Sequence, residues 1–459
     1  MAGIGFELRR LLVPRSVTGT MRAYLYAGVI STGPWIISIL SIILLNLVLQ
    51  QVLEEPERVL FSTTITHSYA LSLILTGGLH FVLNRHAADQ ISAKRPEAIF
   101  PNAVAALLLT AILSIIAGTV LFGFLTPEPL FHKAASISLF VWVSLIFVAS
   151  NYLSVLLHYR SIVAGFLIGY LASGFTAWYA ASQWGVAAGV AGFAIGHMIL
   201  FCFLFGALRR ELATDTSVAA SWSFLGHLKK YPGLIFCGFL YNLGIWIDKI
   251  LFWHLSAENQ TVSGVLHASP EYDLAIYLSL LSIVPGLTVF FLRLETDFSD
   301  RFHQFFHATN DGGRLTDILN AKDGMIESLR SGFLQLLATQ AFVTLALLIY
   351  AGRIGTWLGI GAIQEGIFRV TLIGAFLLML FLALMTILFY LDDRKGALLA
   401  CIVFAAANAG LSLATVMANE AWYGFGFVVA AGAAMFITAW RVNARIARFE
   451  YHVFLPGSV

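Results

Sequence analysis

Long apolar runs separated by short polar or charged links recur along the whole chain. They predict twelve spanning helices, at 23-49, 60-83, 99-125, 135-157, 161-181, 186-208, 232-254, 272-294, 331-351, 367-391, 396-417 and 422-440. Each run is near or above the ~20 residues that carry a helix across about 30 Å of hydrocarbon. The fourth and fifth runs are separated only by His158, Tyr159 and Arg160, and the eleventh and twelfth by a link through Asn419 and Glu420. Links this short imply antiparallel neighbours. Two links are longer. Residues 209-231 join the sixth and seventh runs, and residues 295-330 form a polar segment in which Phe298, Phe302, Phe305 and Phe306 recur at helix-like spacing among Asp300, Arg301 and His303. That segment reads as an amphipathic helix lying at the inner interface, or as one that docks a cytoplasmic partner.

Composition agrees with the pattern. Of 459 residues, 59% are hydrophobic and only 11% charged, against about 25% charged in soluble domains, and the mean hydropathy is +0.83. The fold class is therefore an all-α polytopic membrane protein. The net charge of +2 says little until each charge is assigned to a side. With the N-terminus inside, 22 of the 27 Lys and Arg residues fall on inner segments, as insertion favours. Arg58, Lys133, Arg353 and Arg369 fall outside, and Lys249 lies within a span. Both termini are expected in the cytoplasm. The outer links collect acids instead, among them Glu54, Glu55, Glu57, Glu128, Glu271, Asp273 and Glu420. These are either solvated helix caps or an acidic exit, in which Glu271, Asp273 and Glu420 would favour a cationic cargo. Arg9, Arg10 and Arg15 precede an apolar stretch too long for a signal peptide, so the first helix is expected to stay in the mature protein. Cys202, Cys237 and Cys401 each sit alone in an apolar run and read as small packing residues.

An internal correspondence suggests two halves. Gly33-Pro34-Trp35-Ile36-Ile37-Ser38-Ile39-Leu40 aligns with Gly244-Ile245-Trp246-Ile247-Asp248-Lys249-Ile250-Leu251, and Gly, Trp, Ile, Ile and Leu coincide. Six spans per half is an even number, so the halves would enter the membrane in the same orientation, related by an axis along its normal. The expected organisation is a cytoplasmic segment 1-22, a first half 23-208, a linker 209-231, a second half 232-440 with the inner loop 295-330, and a cytoplasmic tail 441-459.

Charges at membrane depth cost about 2.5 to 3.5 kcal/mol each on insertion scales, which makes them functional candidates. Asp248 and Lys249 qualify. Neighbours on a helix point about 100° apart, so each is free to pair with another helix; a buried structural pair and a coupling or cargo contact both fit. Tyr241, Asn242 and Asn408 are further candidates for the path, alongside the reading that they are hydrogen-bonding glue between helices. Gly33-Pro34 and Pro285-Gly286 interrupt the first and eighth runs and read as hinges or packing kinks. No GxxxxGK[ST], HExxH or GxSxG motif occurs, and no cofactor, metal or nucleic-acid partner is expected.

Several stretches resemble a known family. Met1-Ala2-Gly3-Ile4-Gly5-Phe6-Glu7-Leu8-Arg9-Arg10-Leu11-Leu12, the run from Tyr24 through Gly33-Pro34-Trp35, Trp246 to Trp253, and Tyr272-Asp273 through Pro285-Gly286 to Glu295-Thr296 are similar to PelG exporters. That family is in turn similar to the flippases and antiporters of the MOP superfamily. The resemblance implies a bacterial inner-membrane protein that exports a partly deacetylated, cationic amino-sugar polymer. It also implies a cytoplasmic glycosyltransferase and membrane scaffold subunits as partners. An ion-coupled multidrug or lipid-linked oligosaccharide antiporter is the alternative. A membrane glycosyltransferase using Glu54, Glu55 and Glu57 is a third reading, disfavoured by the short outer links.

Overall fold

The computed structural model describes residues 17–212 and 220–449, with the side chains of 17–27, 30, 31 and 295 excepted. The Met1-Leu12 motif, Arg9, Arg10, Arg15, residues 213–219 of the linker and the tail beyond 449 therefore lie outside what is described, as does the side chain of Arg22. Twelve helices among the described residues are long and apolar enough to cross a membrane. They are carried by α1 (Val17–Leu49), α2 (Glu55–Ser92), α3 (Ile99–Gly118), α4 (Leu130–Val155), α5 (Tyr159–Trp184), α6 (Val186–Leu212), α8 (Pro232–Leu255), the broken pair α9 (Pro270–Leu281) and α10 (Val284–Leu292), α12 (Leu315–Leu358), α13 (Ala362–Tyr390), α14 (Arg394–Ala418) and α15 (Phe425–Ala447). Short α7 (Phe224–Lys230) lies in the 209-231 linker, and α11 (Ser299–Asn310) follows α10. The chain is a multi-pass membrane protein, as the apolar runs predict.

The helices outlast the apolar runs. At 1.5 Å per residue the 44-residue α12 is about 66 Å long, roughly twice the hydrocarbon thickness. Its first turns, with Asp317, Lys322, Asp323 and Glu327, are the segment expected to be a loop. The other side of that segment is helical too: α10 passes through a π turn (Arg293–Phe298) into α11, which packs on α12. Gly312, at φ +70°, makes the turn between them. The 295-330 segment is thus a helical hairpin continuing spans eight and nine, because the polar residues that end a hydropathy run do not end a helix. Phe298 and Phe305 are fully buried. Phe298 meets Tyr390 edge-on at 5.3 Å, and Phe305 meets Phe449 at 5.1 Å. Two of the four phenylalanines considered for docking thus face inward and tie the hairpin to its own chain, while Phe302 and Phe306 are half-buried.

A second unpredicted element is a two-stranded antiparallel hairpin, β1 (Gln260–Ser263) and β2 (Leu266–Ala268). It docks on the α3–α4 connection. The Val265 N–H donates to the Leu125 carbonyl at 3.1 Å and the Ser263 hydroxyl to Glu128 at 2.6 Å. At the start of α2, Glu54 and Glu57 close a capping box, with Glu55 and Glu57 in the positive first turn of the helix.

By contacts the described chain divides into two compact units, Gly33–Pro270 and the residues from Glu271 together with those up to Thr32. In the first, α2 packs against α4 and α8, and α5 against α6. The α5–α6 crossing is close because Gly192 and Gly196, four apart, meet Thr176 and Ser173: a Cβ on Gly196 would lie 2.2 Å from the Ser173 Cα. Small residues four apart are how membrane helices approach without a hydrophobic driving force. In the second unit, α13, α14 and α15 pack together and α12 runs against α10, α11 and α13.

Candidate functional site

The charged residues at membrane depth lie on α8, in the unit Gly33–Pro270. Asp248 is 0% and Lys249 1% exposed. Although they are sequence neighbours, they pair with each other: the Lys249 ammonium stands 3.2 and 3.3 Å from the two Asp248 carboxylate oxygens. It also donates to the Ile245 carbonyl at 2.8 Å and stands 5.7 Å from the centre of the Trp246 ring. Helix geometry explains this. The Cα–Cβ bond tilts towards the N-terminus, so the long lysine stem lies back over the preceding turn and carries its charge to the neighbouring carboxylate.

Asp248 is seven residues from the helix end at Leu255, about 10 Å of helix. An aromatic cluster lies on the same helix, in which Trp253 stacks on His67 of α2 at 4.3 Å and meets Trp246 at 6.2 Å. The other α8 candidates take different roles. The Asn242 amide donates to the Gly238 carbonyl at 2.9 Å. It sits where α8 crosses α2: a Cβ on Gly77 would lie 2.5 Å from the Asn242 Nδ2, and one on Gly238 would lie 2.0 Å from the Gly77 carbonyl oxygen. Tyr241 is half-buried on the same helix. Asn408 belongs to the other unit, where its buried side-chain oxygen accepts from Ser412 at 2.9 Å.

The hinge candidates stand at structural breaks of two kinds. Gly33-Pro34 marks the point at which the chain passes between the compact units, although α1 runs on through Pro34, with Ser38 donating to the Pro34 carbonyl at 2.7 Å. Pro285 and Gly286 open α10 just after the interruption at Ser282-Ile283. Of the acidic exit candidates, Glu271 and Asp273 form the first turn of α9, where the helix dipole favours them. Glu420 is exposed in the 3-10 turn before α15.

Two constellations were not assembled from the sequence. The first joins α2, α5 and α6 through buried groups. Tyr69 hydrogen-bonds both the Tyr170 hydroxyl and His197 Nε2, while His197 Nδ1 lies 3.0 Å from the Ser173 hydroxyl and 2.9 Å from the Phe193 carbonyl. Tyr69 and His197 stand out as polar residues in apolar runs; Tyr170 and Ser173 do not. Their available signal is the four-residue spacing of Gly165, Gly169 and Ser173, which marks a close crossing.

The second lies in the turn between α13 and α14. Asp393 is 1% exposed and accepts from Nε and Nη2 of Arg441, at 2.8 to 3.1 Å, from Arg445 at 3.3 Å and from the Gly396 N–H at 3.1 Å. Burial pushes its carboxyl pKa up, but the hydrogen bonds from Arg445 and Gly396 and the charges of Arg445 and Arg441 outweigh burial and hold it below the ordinary carboxylate value.

The fold is found among solved transporters. The outward-facing conformation of a multidrug resistance MATE family transporter of the MOP superfamily matches with TM-score 0.66 and 15% identity, over 93% of this chain and 96% of that one. A MOP superfamily transporter from Pyrococcus furiosus, described as having a binding pocket of reversed polarity, matches with TM-score 0.59 and 14% identity, over 92% and 96%. An inward-facing MATE transporter matches with TM-score 0.58 and 11% identity, over 86% and 92%. At these identities the likeness shows the fold, a MOP-type bundle of twelve spans. No curated protein matches the chain. The family described as "PelG: Putative exopolysaccharide Exporter (EPS-E)" matches residues 1–454, nearly end to end. A helical bundle of transporter fold, with a buried charge pair and near full-length agreement with that family, belongs to the PelG exopolysaccharide exporters.

Proposed function

We propose that this chain moves an amino-sugar exopolysaccharide from cytoplasm to periplasm across a bacterial inner membrane. The match to the PelG family over residues 1–454 carries the reading. The basic residues support cytoplasmic termini. The acids of the opposite links, Glu271, Asp273 and Glu420 among them, support a cationic, partly deacetylated cargo. In this reading two six-helix halves rock about Gly33-Pro34 and Pro285-Gly286, and the path draws on Asp248, Lys249, Tyr241, Asn242 and Asn408. That the compact units divide at Gly33 supports the first of these hinges. A cytoplasmic glycosyltransferase and membrane scaffold subunits feed the polymer in, and the half-buried Phe302 and Phe306 of α11 remain candidates for their docking.

Deletion of the chain in its native host is the test: secreted polymer is lost, while undiminished polymer with intact synthesis overturns the reading. The fold shared with MATE transporters favours a second reading, ion-coupled efflux of small cations. Proteoliposomes that pump cationic dyes, from a host whose polymer secretion survives the deletion, would select it.

A further inference from the structure

The break between α9 and α10 holds more polar oxygen than a kink requires. Pro285 carries no N–H, so the Leu281 carbonyl, at the end of half-helix α9, lacks its donor one turn on. The chain tightens there: the Ser282 and Ile283 N–H groups reach back only three residues, to Ser279 and Leu280, at 3.1 and 3.2 Å. Into this gap α12 presents Gln340, 0% exposed, whose Nε2 donates to the Ser282 carbonyl at 3.0 Å. A carbonyl demands a donor, so this bond fixes the amide with Oε1 on the other side. That Oε1 lies against Gly286, where a Cβ would come within 2.4 Å of it.

Three buried side-chain oxygens on the two segments that meet here have no hydrogen-bond partner: Ser282 Oγ at the break, and Gln340 Oε1 and Thr344 Oγ1 on α12. Their residues are 5%, 0% and 6% exposed. Thr344 stands one turn beyond Gln340 on the same face of α12. Leaving one such group unsatisfied costs about 1 to 3 kcal/mol, and here three fall on the break and on the one face of α12 whose Gln340 packs against it. Native interiors pair such groups, with water or an ion where no protein partner is at hand.

We propose that the α9–α10 break binds a monovalent alkali cation, sodium foremost, between Ser282, Gln340, Thr344 and the Leu281 carbonyl. The donors are hard, neutral oxygens, which suit a hard cation. The C-terminal end of half-helix α9 contributes about half a negative charge, enough to favour one positive charge and too little to offset two in a low-dielectric interior. Gly286 is required because any side chain there would occupy the space of the Gln340 amide. The ion fastens α12 to the break, so its occupancy sets how freely the α9–α10 hinge bends. The inference concerns this hinge alone and stands whatever the cargo.

Purified full-length protein in lipid nanodiscs is titrated with sodium chloride and with potassium chloride, choline chloride holding ionic strength constant, and its thermal midpoint is followed. The midpoint should rise by at least about 2 °C and saturate. Thr344→Val and Ser282→Ala should each raise the half-saturating concentration by about tenfold, one ligand's worth of binding. Gln340→Glu, which adds a charge, should lower it. Midpoints that are the same in sodium, potassium and choline would mean that a water molecule fills the site, and would overturn the proposal. A sodium response unchanged by Thr344→Val would overturn it as well. The titration of the unaltered chain is informative even if one variant fails to fold.

Discussion

Replacing Asp248 by Asn would take from the buried Lys249 the carboxylate it pairs with, and the structure sets the size of the effect. At 3.2 Å and an effective dielectric constant of about 20, the pair's Coulomb attraction is about 5 kcal/mol. With both groups essentially unexposed, solvent screens little of it. The Ile245 carbonyl and the Trp246 ring remain beside the ammonium and recover part of the loss. Asp248→Asn alone should therefore cost about 3 to 5 kcal/mol, as does removal of one partner of a buried pair elsewhere. The double variant Asp248→Leu with Lys249→Met removes both desolvation costs and should return close to, or above, the original stability. Thermal unfolding of Asp248→Leu, Lys249→Met and the double variant, combined with the original chain as a double-mutant cycle, yields the coupling energy. Polymer secretion by the same four chains then separates two roles. A structural pair predicts that the double variant exports normally, whereas a pair that contacts cargo or a coupling ion predicts a stable protein that does not export. An Asp248→Asn protein as stable as the original would refute the reasoning, because losing the carboxylate at 3.2 Å from a buried ammonium cannot be thermally silent.

The remaining predictions concern packing and one polar latch. Gly238→Ala places a methyl group 2.0 Å from the Gly77 carbonyl oxygen, forces α8 away from α2 and should destabilise by about 1 to 3 kcal/mol; a midpoint equal to that of the original would refute the close crossing. Asp393 has a folded-state pKa below its ordinary value, so its stabilisation is complete above the unfolded-state pKa and is lost as pH falls through the lowered one. Asp393→Asn should lower the thermal midpoint at neutral pH and flatten its decline on acidification, while a parallel pH profile for the two proteins would contradict the arginine cage.

How much could be read in advance depends on what each feature needs. The twelve spans, the all-α class and the oddity of Asp248 and Lys249 were legible, because a bilayer imposes its demand locally: a run of apolar residues long enough to bridge the hydrocarbon must be helical whatever its neighbours do. Helix length was not legible, since hydropathy ends at the interface while α12 continues for turns beyond it. The 295-330 segment shows the same limit. Its aromatic periodicity correctly indicated helix, but only packing against Tyr390 and Phe449 decided that Phe298 and Phe305 turn inward.

Partners were the work of tertiary structure. A 100° offset between adjacent side chains does not say where a flexible lysine stem will lie; the folded helix shows it lying back to the Ile245 carbonyl, which brings its charge to Asp248. Tyr170 and Ser173 are ordinary residues until the α5–α6 crossing brings His197 to them. The oxygens around Pro285 are separated in sequence by more than fifty residues, from Ser282 to Gln340. Sequence alone determined which residues enter the membrane, because transfer free energy is a property of the segment. Only the tertiary structure decided which polar groups meet there, because at that depth water is absent and each group takes whatever partner the packing brings within reach.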